Sequence, residues 1–257
     1  MRRLTLHLTR GLGVLALVTL LAPLACAVWM SFAPGEVLEP PTSQWSLRWY
    51  REFFGTAKWT RAMATSAEVA GLSVLGSLGS GLALAVAVTR FHFRGRRAVA
   101  GAVLLPLFVP AVVLAMGLLP FVALAGLQGK AVALAAAHAL VSLPAVYLVL
   151  RGALAQADPD LERAARGLGV GPVTAFRRVT LPLIGPSVIA GAVIAFILSA
   201  NEFAFAVFLS SPRVRTLPAA LWPEARDKET PLLAAASVVT ALFTLLGMWI
   251  VARLLRR

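Results

Sequence analysis

The sequence predicts an all-α membrane protein with six transmembrane helices. Of its 257 residues, 59% are hydrophobic and 14% are charged, whereas soluble domains are about 45–50% apolar and about 25% charged. Six stretches approach the roughly 20 apolar residues that a helix needs to cross a bilayer. None alternates polar and apolar residues with period two, which favours a helical bundle over a β-barrel. The predicted spans, within one domain over 1–257, are 11–32, 66–89, 98–122, 131–150, 186–209 and 231–252.

The first predicted span follows Arg2, Arg3 and Arg10 and resembles a signal peptide. Its apolar run, 11–30, is longer than a signal-peptide core of about 7–15 residues. We therefore expect a retained helix with the character of a signal anchor. The one cysteine, Cys26, can form no internal disulfide and belongs to no cysteine cluster that would indicate a zinc site.

Basic residues predict the orientation. The net charge is +13, and most of the 24 Lys and Arg residues fall in alternate connections between the spans. Cytoplasmic loops are enriched in Lys and Arg, so we interpret the charge as a sign of topology rather than of nucleic-acid binding. We expect a multi-pass membrane protein with both termini in the cytoplasm. The segments expected on that side are 1–10, 90–97, 151–185 and 253–257.

The segment 34–65, on the opposite side, is rich in aromatic residues. A short amphipathic helix is expected around 46–55. Aromatic side chains are enriched at the level of the lipid headgroups, so we expect Trp45, Trp49 and Trp59 to anchor this segment at the interface.

The second span carries Ser73, Ser77 and Gly81 at four-residue spacing. Small residues at this spacing allow two helix backbones to approach closely. The pattern fits packing within the chain, and it also fits an interface with another subunit.

Prolines interrupt two of the predicted spans. Pro106, Pro110 and Pro120 fall in the third span, and Pro144 falls in the fourth. Proline removes one hydrogen bond of the helix and bends it. We therefore expect kinked helices, as is typical of transporters and of membrane proteins generally.

A polar loop, residues 151–185, separates the fourth and fifth spans. Asp158 is a good N-cap and Pro159 suits the first position of a helix. Asp160 and Glu162 follow in the first turn, where the helix dipole favours acids. Gly169 is a natural stop, so the sequence predicts a short helix over 159–168.

A second short helix is predicted from Gly171 to about Val179, and we expect Leu181-Pro182 to end it. A helix of ten residues is marginal alone in water, so something must hold the first one. Its Ala164 and Ala165 form a smooth face that a groove on a partner could accept. The alternative is a surface helix packed only on its own bundle.

The polar loop resembles the cytoplasmic loop of ABC-transporter permeases, whose pattern is Glu-Ala-Ala, three residues, Gly, nine residues, Ile, one residue, Leu-Pro. The matching residues are Ala164, Ala165, Gly169, Val179, Leu181 and Pro182. Arg163 stands at the position of the family glutamate, and Glu162 precedes it. Because neighbouring helix residues point about 100° apart, Glu162 does not simply replace that glutamate.

The resemblance extends over nearly the whole chain. It is strongest to the second permease subunit of the spermidine/putrescine-type branch. The segments that carry it are 105–110, 137–140, 143–144, 216–218 and 231–237.

The resemblance implies a six-helix inner-membrane subunit that pairs with a second permease, a dimer of cytoplasmic ABC ATPases and an extracytoplasmic solute-binding protein. It also implies that the polar loop holds a coupling helix, which docks in a cleft of the ATPase. The residues implied in coupling are Asp160, Glu162, Arg163, Ala164, Ala165, Gly169, Leu181 and Pro182.

A polar group in the fifth span is the candidate substrate pathway. A carboxylate within a span is costly and usually faces a cavity or a partner. Glu202 is the expected attractant for a cation, with Asn201 as a hydrogen-bonding neighbour and Phe203 and Phe205 as cation–π partners. Alternatively, Glu202 caps or bonds a neighbouring helix, or forms a salt bridge with the partner permease. His138, on the fourth span, is expected to make a structural hydrogen bond between helices.

Three classes of function compete. The first is a permease subunit of an ATP-driven importer, for a polyamine or for another solute such as iron, thiamine, a sugar or an anion. An intramembrane enzyme would need a nucleophile and base or a metal set, and no catalytic residue, metal ligand or cofactor motif is apparent in the sequence. A secondary transporter usually shows internal repeats, which are also not apparent. Without a Walker A loop, ATP hydrolysis is expected to belong to a partner ATPase.

Overall fold

The computed structural model describes residues 2–41, 44–227 and 230–255, with side chains from residue 10 onward. Residues 1, 256 and 257, at the predicted cytoplasmic termini, lie outside this range. The described chain is all-helical and contains no strand, as the sequence predicts. Its α-helices are α1 (Arg2–Met30), α2 (Arg48–Gly55), α3 (Ala57–Arg90), α4 (Arg96–Ala102), α5 (Ala111–Leu124), α6 (Ala131–Gln156), α7 (Pro159–Gly167), α8 (Pro172–Ala175), α9 (Leu181–Leu183), α10 (Gly185–Ala200), α11 (Ala204–Leu209), α12 (Leu217–Asp227) and α13 (Pro231–Leu254).

Four helices of the described chain are long and apolar enough to cross a membrane by themselves. Two further pairs of helices pass the same test together but are sharply bent. Arg96–Leu107 meets Ala111–Leu124 at 108°, and Pro172–Leu183 meets Gly185–Ala200 at 74°. The number of candidate spans is therefore four, or up to six if each bent pair is one span. The four single helices are Arg10–Met30, Ala57–Arg90, Ala131–Gln156 and Pro231–Leu254.

The first bent pair breaks at a proline that the sequence singled out. Pro110 precedes α5 with an extended backbone at φ −54° and ψ 134°, and Pro106 lies in a 3₁₀ turn, Leu105–Leu107. In contrast, Pro120 and Pro144 lie inside α5 and α6, which continue through them. At the start of a helix a proline removes no hydrogen bond of that helix, so α5 can begin directly after the break at Pro110.

The predicted fifth span, 186–209, is not one continuous helix. Helix α10 ends at Ala200, and α11 begins at Ala204 after a turn of three residues. The apolar stretch continues across this turn, so hydropathy alone gives no sign of it. The break places Asn201, Glu202 and Phe203 outside regular helix.

One compact unit comprises 1–60 and 220–242. Within it, the predicted amphipathic helix is α2, whose Trp49 and Phe53 are buried. The Trp49 Nε1–H donates to the Ala33 carbonyl oxygen at 3.0 Å, and Phe53 stacks on Trp59 with ring centroids 5.8 Å apart. The expectation of interfacial anchoring is therefore wrong for Trp49 and Trp59, because their rings pack inside this unit. Trp45 remains 67% exposed.

The second compact unit comprises 61–219 and 243–257. One apolar core lies where α3, α6 and α10 meet, and Tyr147 and Leu150 are fully buried in it. A second core forms around α5, α6 and α11, with Leu134 and Phe205 fully buried.

The small residues of α3 pack against α6, within the chain. Ser73 and Ser77 are fully buried. A Cβ atom built on Gly81 would lie 3.0 Å from Val146 Cγ1 and 3.5 Å from the Tyr147 nitrogen. Such close approach is the expected use of small residues in membrane helices. Of the two interpretations of this pattern, the structure supports packing within the chain.

Replacing Gly81 with leucine is expected to destabilise the protein by about 1–3 kcal/mol, the usual cost of overpacking a well-filled core. Thermal unfolding of the purified protein in detergent measures this effect. Gly71→Leu, on the same helix, is the matched control, because a Cβ at Gly71 meets no atom within 4 Å. Equal melting temperatures for the two variants would contradict the close α3–α6 contact.

Candidate functional site

Helix α7 begins as the sequence predicts. The Asp160 backbone N–H donates to Asp158 Oδ1 at 2.8 Å, which makes Asp158 the N-cap. Pro159 occupies the first helical position, and Asp160 and Glu162 lie in the first turn. Cap, proline and acids each favour a helix start, so this local sequence specifies the beginning of α7.

Helix α7 ends at Gly167, one residue before the predicted boundary. Gly169 has φ +85°, a backbone conformation that favours glycine over residues with a Cβ. The Val170 N–H then bonds back to the Ala165 carbonyl oxygen at 3.4 Å. Together these features close the helix with a left-handed cap, and the predicted stop at Gly169 is confirmed.

The predicted docking surface is exposed. None of the nine residues of α7 is buried, and Ala164 is exposed beside the half-buried Ala165. Arg163, at the position of the family glutamate, pairs with Asp160 through Nη2 and Oδ1 at 2.7 Å. Both side chains of this pair are about two-thirds exposed, so the pair contributes little to stability.

Glu162 points toward the protein rather than along this surface. Its Oε2 accepts a hydrogen bond at 2.8 Å from the Thr180 hydroxyl, and Thr180 is 2% exposed. Thr180 was not among the predicted site residues. It lies 18 residues beyond Glu162, and no local pattern links the two.

The second half of the polar loop departs from the prediction. Helix α8 continues into a π turn, Phe176–Thr180, and then into α9. Leu181 and Pro182 thus lie within the helical path, and their predicted role as a terminator is wrong. The Leu181 N–H bonds to the Phe176 carbonyl oxygen with π spacing. A π adjustment accommodates a proline by shifting the hydrogen-bond register. The chain bends instead after Ile184.

Arg90 reaches the start of the polar loop from the end of α3. Its Nη2 donates to the Ala157 carbonyl oxygen at 3.2 Å. Ala157 is the C-cap of α6 and directly precedes Asp158, the N-cap of α7. Arg90 therefore contacts the junction of two helices, a role that its place in a basic loop did not indicate.

The candidate pathway residues surround the break between α10 and α11. Asn201 is exposed and donates from Nδ2 to the Ile197 carbonyl oxygen at 2.9 Å. Glu202 is half-buried, and its Oε1 accepts from the Phe205 N–H at 3.2 Å. Phe203 is half-buried. Phe205 is fully buried in the apolar core and offers no open ring face in this structure.

His138 makes the expected contact between helices. Its Nδ1 lies 2.8 Å from the Ser199 hydroxyl, and both residues are buried. This bond joins α6 to the last turn of α10, two residues before Asn201. Elsewhere in the described side chains, no group of three or more His, Cys, Asp or Glu residues could hold a metal ion.

The fold is that of known transporter subunits. A bacterial ABC transporter that imports the acidic polysaccharide alginate aligns with a TM-score of 0.78 and 18% identity, over all of this chain and 96% of that chain. The methionine transporter MetNI, in an inward-facing conformation, aligns with a TM-score of 0.64 and 19% identity over 77% of this chain and 94% of that chain.

Sequence relatives are closer. The putrescine transport system permease PotI of Escherichia coli K12 is 30% identical over 88% of this chain and 83% of its own length. The spermidine/putrescine permease PotC of Haemophilus influenzae is 28% identical over 78% of each chain. A probable molybdenum ABC transporter permease of Haloferax volcanii is 37% identical over 63% of this chain and 62% of its own.

The family described as binding-protein-dependent transport system inner membrane components matches residues 78–257, which include the polar loop and the broken helix. With this match and a relative 30% identical over most of its length, the chain belongs to that family and is a multi-pass permease of the ABC importer type.

Proposed function

We propose that the chain forms half of the translocation pathway of an ATP-driven importer for a polyamine, putrescine or spermidine. The observation that carries this proposal is its similarity, over most of its length, to permeases named for these solutes. The third span is then the bent pair Arg96–Leu107 and Ala111–Leu124, and the fifth is α10 with the bend that precedes it, which gives six spans in total. Both termini lie in the cytoplasm of a bacterial cell, as the distribution of Lys and Arg favours.

The proposed partners are a second permease, a dimer of cytoplasmic ABC ATPases, a solute-binding protein outside and the surrounding lipid. Support comes from the fold, since the alginate transporter of similar fold is known in complex with a periplasmic protein bound to a pentasaccharide. ATP hydrolysis then belongs to the partner ATPase, and the chain itself converts nucleotide-driven closure into movement of its helices.

In this proposal α7 is the coupling helix. It is capped at both ends, has no buried residue and is located in the loop that resembles the ABC permease pattern. Its docking relies on shape at Ala164, Ala165 and Gly169. Arg163 forms its ion pair within α7, so the charge of the missing family glutamate is replaced by a pair that is neutral overall.

The proposed substrate pathway passes the break between α10 and α11. Asn201 and Glu202 supply polar groups there, and Phe203 supplies a partly exposed ring. A carboxylate at this position attracts a cation such as a polyamine. Glu202 caps α11 with one of the about four acceptor positions of its carboxylate. The other positions and the negative charge stay available to a cation.

A second candidate is the same machinery with a different solute, such as an anion, iron, thiamine or a sugar. The observation that favours it is the 37% identity to a probable molybdenum permease. An anionic solute would gain nothing from the charge of Glu202, so removing that charge is expected to weaken the uptake of a polyamine and not the uptake of an anion.

The first test is reconstitution. The chain, purified with its native second permease and ATPase and placed in proteoliposomes with the binding protein, is expected to take up labelled putrescine only when ATP is present. ATP turnover is expected to rise when the binding protein carries its solute. Uptake driven by an ion gradient without ATP would contradict the proposed function.

Adding bulk to the docking face is expected to uncouple the transporter. Ala164→Trp places an indole on the smooth face of α7, which prevents close docking, and uptake should fall at least about tenfold while the complex remains in the membrane. Ala98→Trp, at an exposed position of α4, is the control and should transport normally. Full transport by Ala164→Trp would contradict docking through α7.

Removing the charge of Glu202 is expected to weaken polyamine uptake. Glu202→Gln keeps a carbonyl oxygen that can accept from the Phe205 N–H, so the start of α11 is preserved while the attraction for a cation is lost. We expect about a tenfold rise in the apparent KM for putrescine, in line with a desolvated charge interaction of about 1.4 kcal/mol. Unchanged uptake of putrescine would exclude Glu202 from the pathway.

A further inference from the structure

We propose that Glu162 and Arg90 are positioning residues that fasten α7 to two separate helical paths, through Thr180 and through the Ala157 carbonyl. This inference rests on the proposed coupling role of α7 and names the contacts through which its displacement reaches the membrane helices. Neither Arg90 nor Thr180 belongs to the set implied by the resemblance to ABC permeases.

Apolar packing does not hold α7 in place. None of its residues is buried, and Leu161 is 48% exposed. A pocket of about 310 Å³ lies beside the start of α7, lined by the end of α6, by Asp158 and Leu161, and by Leu183 and Ser187. A helix of nine residues is not stable alone in water. Polar contacts must therefore supply the stabilisation that apolar packing of α7 does not provide.

The first such contact joins the opening turn of α7 to the π turn. Thr180 is buried at the end of this turn and donates its hydroxyl hydrogen to Glu162. Hydrogen bonds to a carboxylate are stronger than those between neutral groups. From Thr180 the chain runs through α9 to Ile184 and into α10. Movement of α7 is therefore passed to the segment that leads into α10.

The second contact holds the residue just before α7. The Arg90 guanidinium donates to Ala157, whose carbonyl lies at the C-terminal end of α6. A cation is favoured at that end of a helix dipole. The Arg90 Nε is buried and has no hydrogen-bond partner among the described residues, so the bond from Nη2 to the Ala157 carbonyl is the polar contact that holds this guanidinium. The start of α7 is thus fixed to α3 and α6 together.

With both contacts in place, α7 cannot rotate about its junction with α6 without moving the π turn. With either contact removed, the ATPase could displace α7 while the membrane helices stay behind. The expected defect is therefore a loss of coupling, in which ATP is hydrolysed and little solute is moved, rather than a loss of assembly.

The test measures putrescine molecules transported per ATP hydrolysed by the complete complex in proteoliposomes. Thr180→Val keeps the shape of the side chain and removes the donor, and Arg90→Met keeps length and removes the charge. Each is expected to lower the transport ratio about tenfold, since a hydrogen bond to a charged group contributes on that scale. Thr180→Ser restores the hydroxyl and is expected to restore the ratio.

Matched controls separate this role from general damage. Thr89→Val also removes a hydroxyl, but that hydroxyl bonds to the Ala85 carbonyl of its own helix. Arg94→Met removes an exposed arginine from the same basic loop as Arg90. Both controls are expected to keep the wild-type ratio. Glu162→Ala combined with Thr180→Val should cost no more than either change alone, because both remove the same bond.

If either Thr180→Val or Arg90→Met transports with the wild-type ratio, the proposal of two contacts is wrong. Strictly additive losses in the double variant of Glu162 and Thr180 would overturn the bond between them as the cause. A wild-type complex that moves no putrescine with ATP contradicts the proposed function instead, so the two failures are distinguished by the wild-type measurement alone.

Discussion

Backbone groups that lipid cannot satisfy constrain this protein wherever an apolar helix is interrupted. An unpaired N–H or C=O in a membrane costs several kcal/mol, so each interruption needs a local acceptor or donor. Glu202 provides the acceptor where α10 gives way to α11, through the Phe205 N–H. Just before Pro182, the π turn provides the acceptor from the backbone itself, because the Leu181 N–H donates to the Phe176 carbonyl oxygen. At both places irregular backbone lies within a candidate site: the pathway residues at Glu202 and the polar loop at Pro182.

Within the second compact unit, the helix core and the polar loop are stabilised in different ways. Close contact of small residues brings α3 against α6, with Gly81 on Val146, and such an interface has few alternative arrangements. Helix α7 instead adjoins a cavity and is held by hydrogen bonds at Glu162 and Ala157. In the proposed coupling role this arrangement is useful, because directional hydrogen bonds carry a displacement of α7 to the residues that they hold.

Local rules predicted some of this structure, and nonlocal contacts explain what they missed. The cap at Asp158 and the stop at Gly169 depend on residues within one turn, so the sequence predicts α7 to within one residue. Leu181-Pro182 was expected to end a helix because proline usually does, yet the preceding π turn gives it the environment of a helix start. The pairing of Glu162 with Thr180 is invisible to any local rule. Hydropathy did not predict the break at Asn201, because apolar residues continue on both sides of it.

The substitution of Arg163 for an acid is consistent with how the other charges of α7 are used. Glu162 is turned inward by Thr180, and Asp160 is neutralised by Arg163, so neither carboxylate is left unpaired on the exposed surface. Arg166 remains exposed in the last turn. In the proposed docking, the partner's cleft meets alanines and a weakly positive end of α7 rather than an acid. Under this proposal the orientation of α7, which its inward contacts impose, matters as much as the fit at Ala164.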